Sequence, residues 1–309
     1  PTAFYTGVNQ GYSLQRQCLA VGDDDLVTWQ KHAGNPVIPA PPPHANQLTD
    51  FRDPFVWRDE NTWYMAVGSR IAGVGGAVFL YKSSNLQNWH YLNPLFVGDS
   101  ARHGPMWECP NFFQLGEKWV LIVSSHSGQA TGNVMYFVGD YRDHRFYPEY
   151  ESILDSGAYY APLTHLDEKG RRLMWGWIRE ARSDVAQVES GWSGVQAIPR
   201  VLTLDAQHRI EMRPVAEIEQ LRAQLLIPLA DLQASPATLP GLAFDLEVSF
   251  RIEDDQICGV VVKDQYTNAK VWITYDPTLE TLNVNHNLSE DDKVVVLHGR
   301  RHRLEQIGR

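Results

Sequence analysis

Phe51-Arg52-Asp53-Pro54-Phe55, running on to Trp63-Tyr64-Met65-Ala66-Val67-Gly68-Ser69, is answered by Trp107-Glu108-Cys109-Pro110-Asn111-Phe112-Phe113 and Trp119-Val120-Leu121-Ile122-Val123-Ser124-Ser125. Pro54 and Pro110, Trp63 and Trp119, and Ser69 and Ser125 each stand 56 residues apart. The repeat is wider than these two stretches. Asp25-Leu26-Val27-Thr28-Trp29 with Asn35-Pro36-Val37-Ile38 is echoed by Asn85-Leu86-Gln87-Asn88-Trp89 with Asn93-Pro94-Leu95-Phe96. A weaker member begins at Tyr159-Tyr160-Ala161-Pro162 and runs into Leu173-Met174-Trp175-Gly176-Trp177-Ile178. Trp63–Val67, Ala77–Tyr81, Trp119–Ser124 and Val134–Val138 are rich in β-branched and aromatic residues and read as strands between Gly, Asn, Asp and Ser turns. Four-stranded units at a period of roughly 50–60 residues predict a β-propeller. Innermost strands of successive blades converge on the central channel, and Asp53 and Glu108 are expected there as equivalents.

Past Arg213-Pro214 the texture changes. Apolar Val215, Ile218, Leu221 and Leu225 stand at helical spacing, predicting an amphipathic helix over Val215–Leu226. A linker with Pro228, Pro236 and Pro240 follows. Alternating segments Phe244–Ile252, Ile257–Lys263, Lys270–Tyr275, Thr281–Asn285 and Lys293–Leu297 then predict a second all-β unit, part of a sandwich cut short at Arg309. The expected organisation is a partial propeller over 1–213, helix and linker over 214–235, and a partial sandwich over 236–309.

With 309 residues, 43% hydrophobic and 21% charged, the chain has the composition of an ordinary globular protein. A net charge of −10 without a basic stripe argues against nucleic acid and anionic membranes as partners. No apolar run approaches the ~20 residues of a membrane span. Pro1 rather than a methionine opens the chain, so the true N-terminus is expected upstream. Cys18, Cys109 and Cys258 are too scattered for a disulfide framework or a zinc site. His44, His103, His126 and His165 lack metal-ligand spacing, and neither metal nor cofactor is expected. Asp23-Asp24-Asp25 reads as a solvated loop, and Gly73-Val74-Gly75-Gly76 as a hairpin loop rather than a phosphate cradle. Asn287-Leu288-Ser289 fits a glycosylation sequon, a triplet common by chance.

Two carboxyls in phase suit acid/base work on a neutral, hydroxyl-rich substrate. Glycosidases place two carboxyl groups astride the scissile bond, one protonated and one ionised. Met106, Trp107, Cys109 and Pro110 make the sequence around Glu108 the more apolar, and burial raises a carboxyl pKa, so Glu108 is the expected acid. Asp53, beside Arg52, is expected to stay ionised.

Phe51-Arg52-Asp53-Pro54 resembles the Arg-Asp-Pro motif, and Trp107-Glu108-Cys109-Pro110 the Glu-Cys-Pro motif, of the invertases, inulinases and levanases of glycoside hydrolase family 32. Phe4-Tyr5-Thr6-Gly7, Asn35-Pro36-Val37, Asp155-Ser156-Gly157 with Tyr159-Tyr160-Ala161-Pro162, and Gly191-Trp192-Ser193-Gly194 with Ile198-Pro199-Arg200 extend the similarity in order over about residues 4–225. The resemblance implies a five-bladed propeller with a C-terminal β-sandwich, and retaining double displacement at β-fructofuranosyl bonds of sucrose or of inulin- and levan-type fructans. It implies Glu108 as acid/base, Asp53 as transition-state stabiliser held by Arg52, and substrate contacts from Arg52, Trp107, Cys109 and Tyr160. Any self-association is expected through the sandwich.

The family's nucleophile, the Asp of Trp-Met-Asn-Asp-Pro-Asn-Gly, has no counterpart here, where Asp-Pro occurs only at Asp53-Pro54 and Asp276-Pro277. The expectation is a piece of a longer enzyme with poor turnover by itself. The competing readings are an inverting arabinan- or xylan-type propeller and a non-catalytic carbohydrate-binding propeller. Ala158 and Leu163 stand where the family often has Asp and Gln, and Asn111 replaces an Asp common after Glu-Cys-Pro.

Overall fold

The computed structural model describes residues 1–9, 11, 13–128, 130–155, 157–222, 255–264, 269–286 and 302–303. Antiparallel sheets follow one another along the chain. The first holds β1 (Thr2–Val8), β2 (Gln15–Gly22) and β3 (Trp29–Lys31). The second runs in order through β4 (Phe51–Asp59), β5 (Thr62–Ile71), β6 (Gly75–Ser83) and β7 (His90–Val97). The third repeats this meander with β8 (Met106–Leu115), β9 (Lys118–His126), β10 (Thr131–Arg142) and β11 (Arg145–Asp155). In the fourth, β12 (Tyr159–Leu166), β13 (Arg172–Ile178), β15 (Arg200–Leu204) and β16 (Ile210–Pro214) lie in that order, and the short β14 (Val195–Gln196) also pairs with β13. Two short helices, α1 (Ser100–His103) and α2 (Asp184–Ser190), sit in connections. A last meander comprises β17 (Cys258–Lys263), β18 (Lys270–Asp276), β19 (Thr281–His286) and β20 (His302–Arg303).

Leading strands of consecutive sheets are neighbours: β1 packs on β4, β4 on β8, and β8 on β12. Alternation along each strand sends one face into the layer between sheets. Ala66, Val78 and Leu80 of the second sheet meet Phe112, Leu121, Val123 and Phe137 of the third in one buried cluster. Side chains of this size contribute about 1.5–3 kcal/mol each when fully buried. A second cluster joins the third and fourth sheets through Ile122, Val134, Tyr159 and Met174.

The sequence repeat is a repeat of geometry. Trp29 donates through Nε1 to the carbonyl of Leu26 at 3.0 Å, and Trp89 to that of Leu86 at 2.9 Å. Leu26 and Leu86 both have positive φ, 59° and 66°. The Gly73 loop is the β5–β6 hairpin, and Asp23 accepts from the amides of Val27 and Thr28 in an exposed turn.

The helix expected over Val215–Leu226 takes another form. Ala216–Leu221 is a 3₁₀ stretch, with Ile218 N–H donating to Val215 and Arg222 N–H to Glu219. Arg171 grips Glu217 with both terminal nitrogens at 3.0 and 2.9 Å, tightening this turn against the β12–β13 hairpin. Val215 is buried, whereas Leu221 is 77% exposed, so the apolar spacing does not form one buried stripe. The expected strands Phe244–Ile252 and Lys293–Leu297, the proline linker, the rest of the expected helix and the Asn287 sequon lie outside the described residues.

Candidate active site

A β-bulge occurs at the same place in three leading strands. Pairing of β4 with β5 slips between Arg52 and Phe55, that of β8 with β9 between Glu108 and Asn111, and that of β12 with β13 between Tyr160 and Leu163. Each bulge carries a pre-proline residue in the left-handed region: Asp53 at φ 61°, Cys109 at 48° and Ala161 at 50°. Proline disfavours helical conformations in the residue before it, so each is a strained turn held by its surroundings. The bulges fix the register. Asp53 corresponds to Cys109 and Ala161, while Arg52 corresponds to Glu108 and Tyr160. The expectation that Asp53 and Glu108 are equivalents is therefore corrected by one residue.

Equivalent residues reach one another across the sheets. Arg52 donates through Nε to Glu108 Oε1 at 2.9 Å. Tyr160 places its hydroxyl 2.6 Å from Glu108 Oε2 and 2.9 Å from the Ser125 carbonyl. One step along, Cys109 N–H donates to Asp53 Oδ2 at 3.0 Å, and the Cys109 thiol stands 3.6 Å from the same oxygen. Two carboxyls from adjacent bulge positions thus face one site.

Arg52 belongs to Glu108 rather than to Asp53. Its remaining nitrogens reach Asp50 Oδ1 at 3.0 Å, Gln15 Oε1 at 3.2 Å and Met106 Sδ at 3.4 Å. Arg52 and Asp53 are consecutive across a bulge and point apart, so Arg52 acts on Asp53 only through space. Asp50 is itself shared, since Arg70 Nε donates to Oδ2 at 2.5 Å.

The electrostatic balance also differs from the sequence reading. Burial pushes the Asp53 carboxyl above its ordinary value and the charge of Glu108 adds to this, while the Cys109 amide and Arg52 oppose it. At Glu108 the indole of Trp107 turns into the core, and the carboxylate sits between a guanidinium and a phenol. Burial, then the nearby Asp53 and Glu108, hold the Cys109 thiol well above its usual range. Among the described residues no group of three His, Cys, Asp or Glu could hold a metal ion.

Trp107, expected at the substrate, is a core residue. Its side chain is fully buried, stacks on Phe96 at 5.7 Å and donates to the His103 carbonyl at 2.9 Å. A Cβ at Gly76 would stand 2.5 Å from its ring and one at Gly98 2.3 Å, so glycine at both positions lets the indole in. Strand alternation turns Trp107 inward when Glu108 turns to the site.

Arg179 and Trp177, to which the sequence assigned no role at the site, and Asn111 complete the surroundings. Arg179 lies 5.2 Å over the Tyr160 ring, and Trp177 meets that ring edge-on at 6.5 Å. Asn111 donates to the carbonyls of Cys109 and Pro162 at 3.0 and 2.8 Å and accepts from Thr164 N–H at 2.7 Å. An amide can do both; a carboxylate only accepts. This explains the departure at Asn111, and the signal in sequence was the substitution itself. Ala158 is buried and Leu163 is 61% exposed, so neither restores the polar group it replaces.

Residues 1–214 match the family model described as the glycosyl hydrolases family 32 N-terminal domain. Sucrose-6-phosphate hydrolase of Bacillus subtilis is 35% identical over 71% of this chain and 48% of its own length. Acid beta-fructofuranosidase of Solanum lycopersicum is 31% identical over 84% of this chain and 46% of its own. A Bombyx mori GH32 beta-fructofuranosidase, solved as a mutant in complex with sucrose, superposes with a TM-score of 0.75 at 25% identity, covering 99% of this chain and 65% of that one. The chain spans about half the length of the curated relatives it matches. None of these relatives is an arabinan or xylan hydrolase or a binding module, so those alternatives gain no support. The bulge-borne Arg-Asp-Pro and Glu-Cys-Pro segments and the family match agree: the chain belongs to glycoside hydrolase family 32.

Proposed function

We propose that the protein is a β-fructofuranosidase, removing fructose from sucrose or from inulin- and levan-type fructans with retention of configuration. The observation that carries this reading is the convergence of Asp53 and Glu108 from neighbouring bulges, with Glu108 bridging Arg52 and Tyr160. Glu108 protonates the leaving oxygen and later activates water. Tyr160 places its hydroxyl between Glu108 Oε2 and the Ser125 carbonyl, and Arg52 donates to Glu108 Oε1, so both oxygens of the carboxyl are held in place for that role. Asp53 spends Oδ2 on the Cys109 amide, and Oδ1 has no hydrogen-bond partner among the described residues. That oxygen is the one to accept from fructose hydroxyls and steady the oxocarbenium-like transition state.

Retention requires a further carboxylate about 5–5.5 Å from the acid. Asp50 does not fill that place, because Arg52 and Arg70 hold both its oxygens. Four consecutive antiparallel sheets with adjoining leading strands support part of a five-bladed propeller over 1–213, followed by a helix and linker over 214–235 and part of a sandwich over 236–309. The β17–β20 meander supplies one layer of that sandwich.

The test is fructose release from sucrose, sucrose 6-phosphate, inulin and levan by the product of the complete reading frame, with the first-formed anomer followed by NMR. β-Fructose as the initial product is expected. Inversion, or no fructose from any of the four, overturns the reading.

A further inference from the structure

The left-handed turn at Asp53 is held from the first sheet. A bulge removes the ladder partner of its pre-proline amide, and each bulge finds a side-chain oxygen instead. Ala161 N–H donates to Ser124 Oγ at 3.2 Å, Cys109 N–H to Asp53 Oδ2 at 3.0 Å, and Asp53 N–H to Thr6 Oγ1 at 2.9 Å. Thr6 in turn donates to Gln17 Oε1 at 3.1 Å, and Gln17 Nε2 donates to the Phe51 carbonyl at 2.7 Å. Gln15 Oε1 accepts from Phe51 N–H at 2.9 Å. Gln17 is fully buried, with both ends of its amide engaged. Side chains of β1 and β2 thereby bind three backbone groups of the Phe51–Asp53 segment.

We propose that Thr6 and Gln17 are positioning residues for Asp53, locking the bulge so that its carboxylate stays against the Cys109 amide and faces the sugar. The inference rests on the role given to Asp53 above. Thr6 is the working link. Without an acceptor for its N–H, Asp53 is free to relax toward the extended conformation that pre-proline residues prefer. Its side chain then swings off the Cys109 N–H, and displacements on the order of 1 Å cost a catalytic group up to about a hundredfold.

The experiment compares Thr6→Val, which keeps the shape and removes the acceptor, with Thr6→Ser, which keeps the acceptor, in the product of the complete reading frame. Three quantities are read: kcat and KM on sucrose, exchange of the Cys109 amide hydrogen, and titration of the Asp53 carboxyl by ¹³C NMR. Thr6→Val is expected to lower kcat about ten- to a hundredfold with KM within about threefold, to speed Cys109 exchange, and to move the Asp53 midpoint further up, since that amide favours the ionised form. Thr6→Ser is expected to match the parent. Unchanged kcat with unchanged exchange overturns the proposal, as does a rise in KM alone. If the parent turns over no β-fructofuranoside, the functional reading fails, and exchange and titration alone decide whether Thr6 positions Asp53.

Discussion

Arg52 donates through Nε to Oε1 of Glu108 at 2.9 Å, joining residues that hold the same position in consecutive bulges. The two side chains are 15% and 17% exposed, so the pair is largely screened from water. Arg52 also binds Asp50, and one planar guanidinium thus spaces two carboxylates. Lysine offers a single point charge and cannot hold both. Arg52→Lys is expected to cost about 1.5–3 kcal/mol of stability and to lower kcat roughly 10–100-fold, because one charge-assisted hydrogen bond to Glu108 or Asp50 is lost while Tyr160 and Arg70 stay in place. Sucrose hydrolysis and urea unfolding measure the two effects.

Tyr160→Phe removes the hydroxyl between Glu108 and the Ser125 carbonyl and leaves the ring packing in place. A hydrogen bond to a charged group contributes about 1.5–3 kcal/mol, which corresponds to a fall in kcat of roughly 10–100-fold. A variant with parental kcat would remove Tyr160 from the acid/base assembly.

Asp50 and Asp53 are expected to shift stability with pH in opposite directions. Asp53 is raised in the folded state, chiefly by burial. Its protonated form is the one the fold favours, so its contribution is fully present below the ordinary carboxyl value and lost as pH rises through the raised one. Asp50 is half-buried, which opposes its charge, but Arg70 and Arg52 outweigh that and hold it low. Its contribution is present above the ordinary value and lost as pH falls through the lowered one. At pH 7, Asp53→Asn should therefore raise the urea midpoint and Asp50→Asn lower it, with both differences shrinking in acid. Two shifts of the same sign at pH 7 would contradict the charge arrangement.

Asn111→Asp restores the residue common in the family at the expense of two donated hydrogen bonds. The carbonyls of Cys109 and Pro162 would then face a carboxylate, and a loss of about 1–3 kcal/mol is expected for each buried group left unsatisfied. Thermal unfolding reads this directly. Trp107→Phe, by contrast, should lower stability through lost packing while leaving KM for sucrose within about twofold, because the indole lies in the core.

The hairpins were legible in the sequence because their turn residues and two-residue alternation are local. The Leu-x-x-Trp turns at Leu26 and Leu86 needed no tertiary information for the same reason. The tight turn after Val215 was not legible. Apolar spacing alone does not distinguish a helix from a 3₁₀ stretch, and the salt bridge from Arg171 to Glu217 comes from a distant hairpin. Gln17 was equally silent and Thr6 was marked only as part of Phe4-Tyr5-Thr6-Gly7, since ordinary polar residues on a strand acquire a role only from what lies opposite.

The sequence by itself determined that an all-β chain repeats a proline-marked strand, with an acid one residue before the first proline and two before the second. The 56-residue spacing that aligns Pro54 with Pro110 also aligns Arg52 with Glu108, and the paired strands placed both, with Tyr160, at the same bulge. Only the tertiary structure decided that Arg52 serves Glu108, that Trp107 is core and that Asp53 is the carboxyl burial pushes up. The reason is geometric. Neighbouring residues on a strand point to opposite sides, and one extra residue in a bulge changes which of them meets the next sheet.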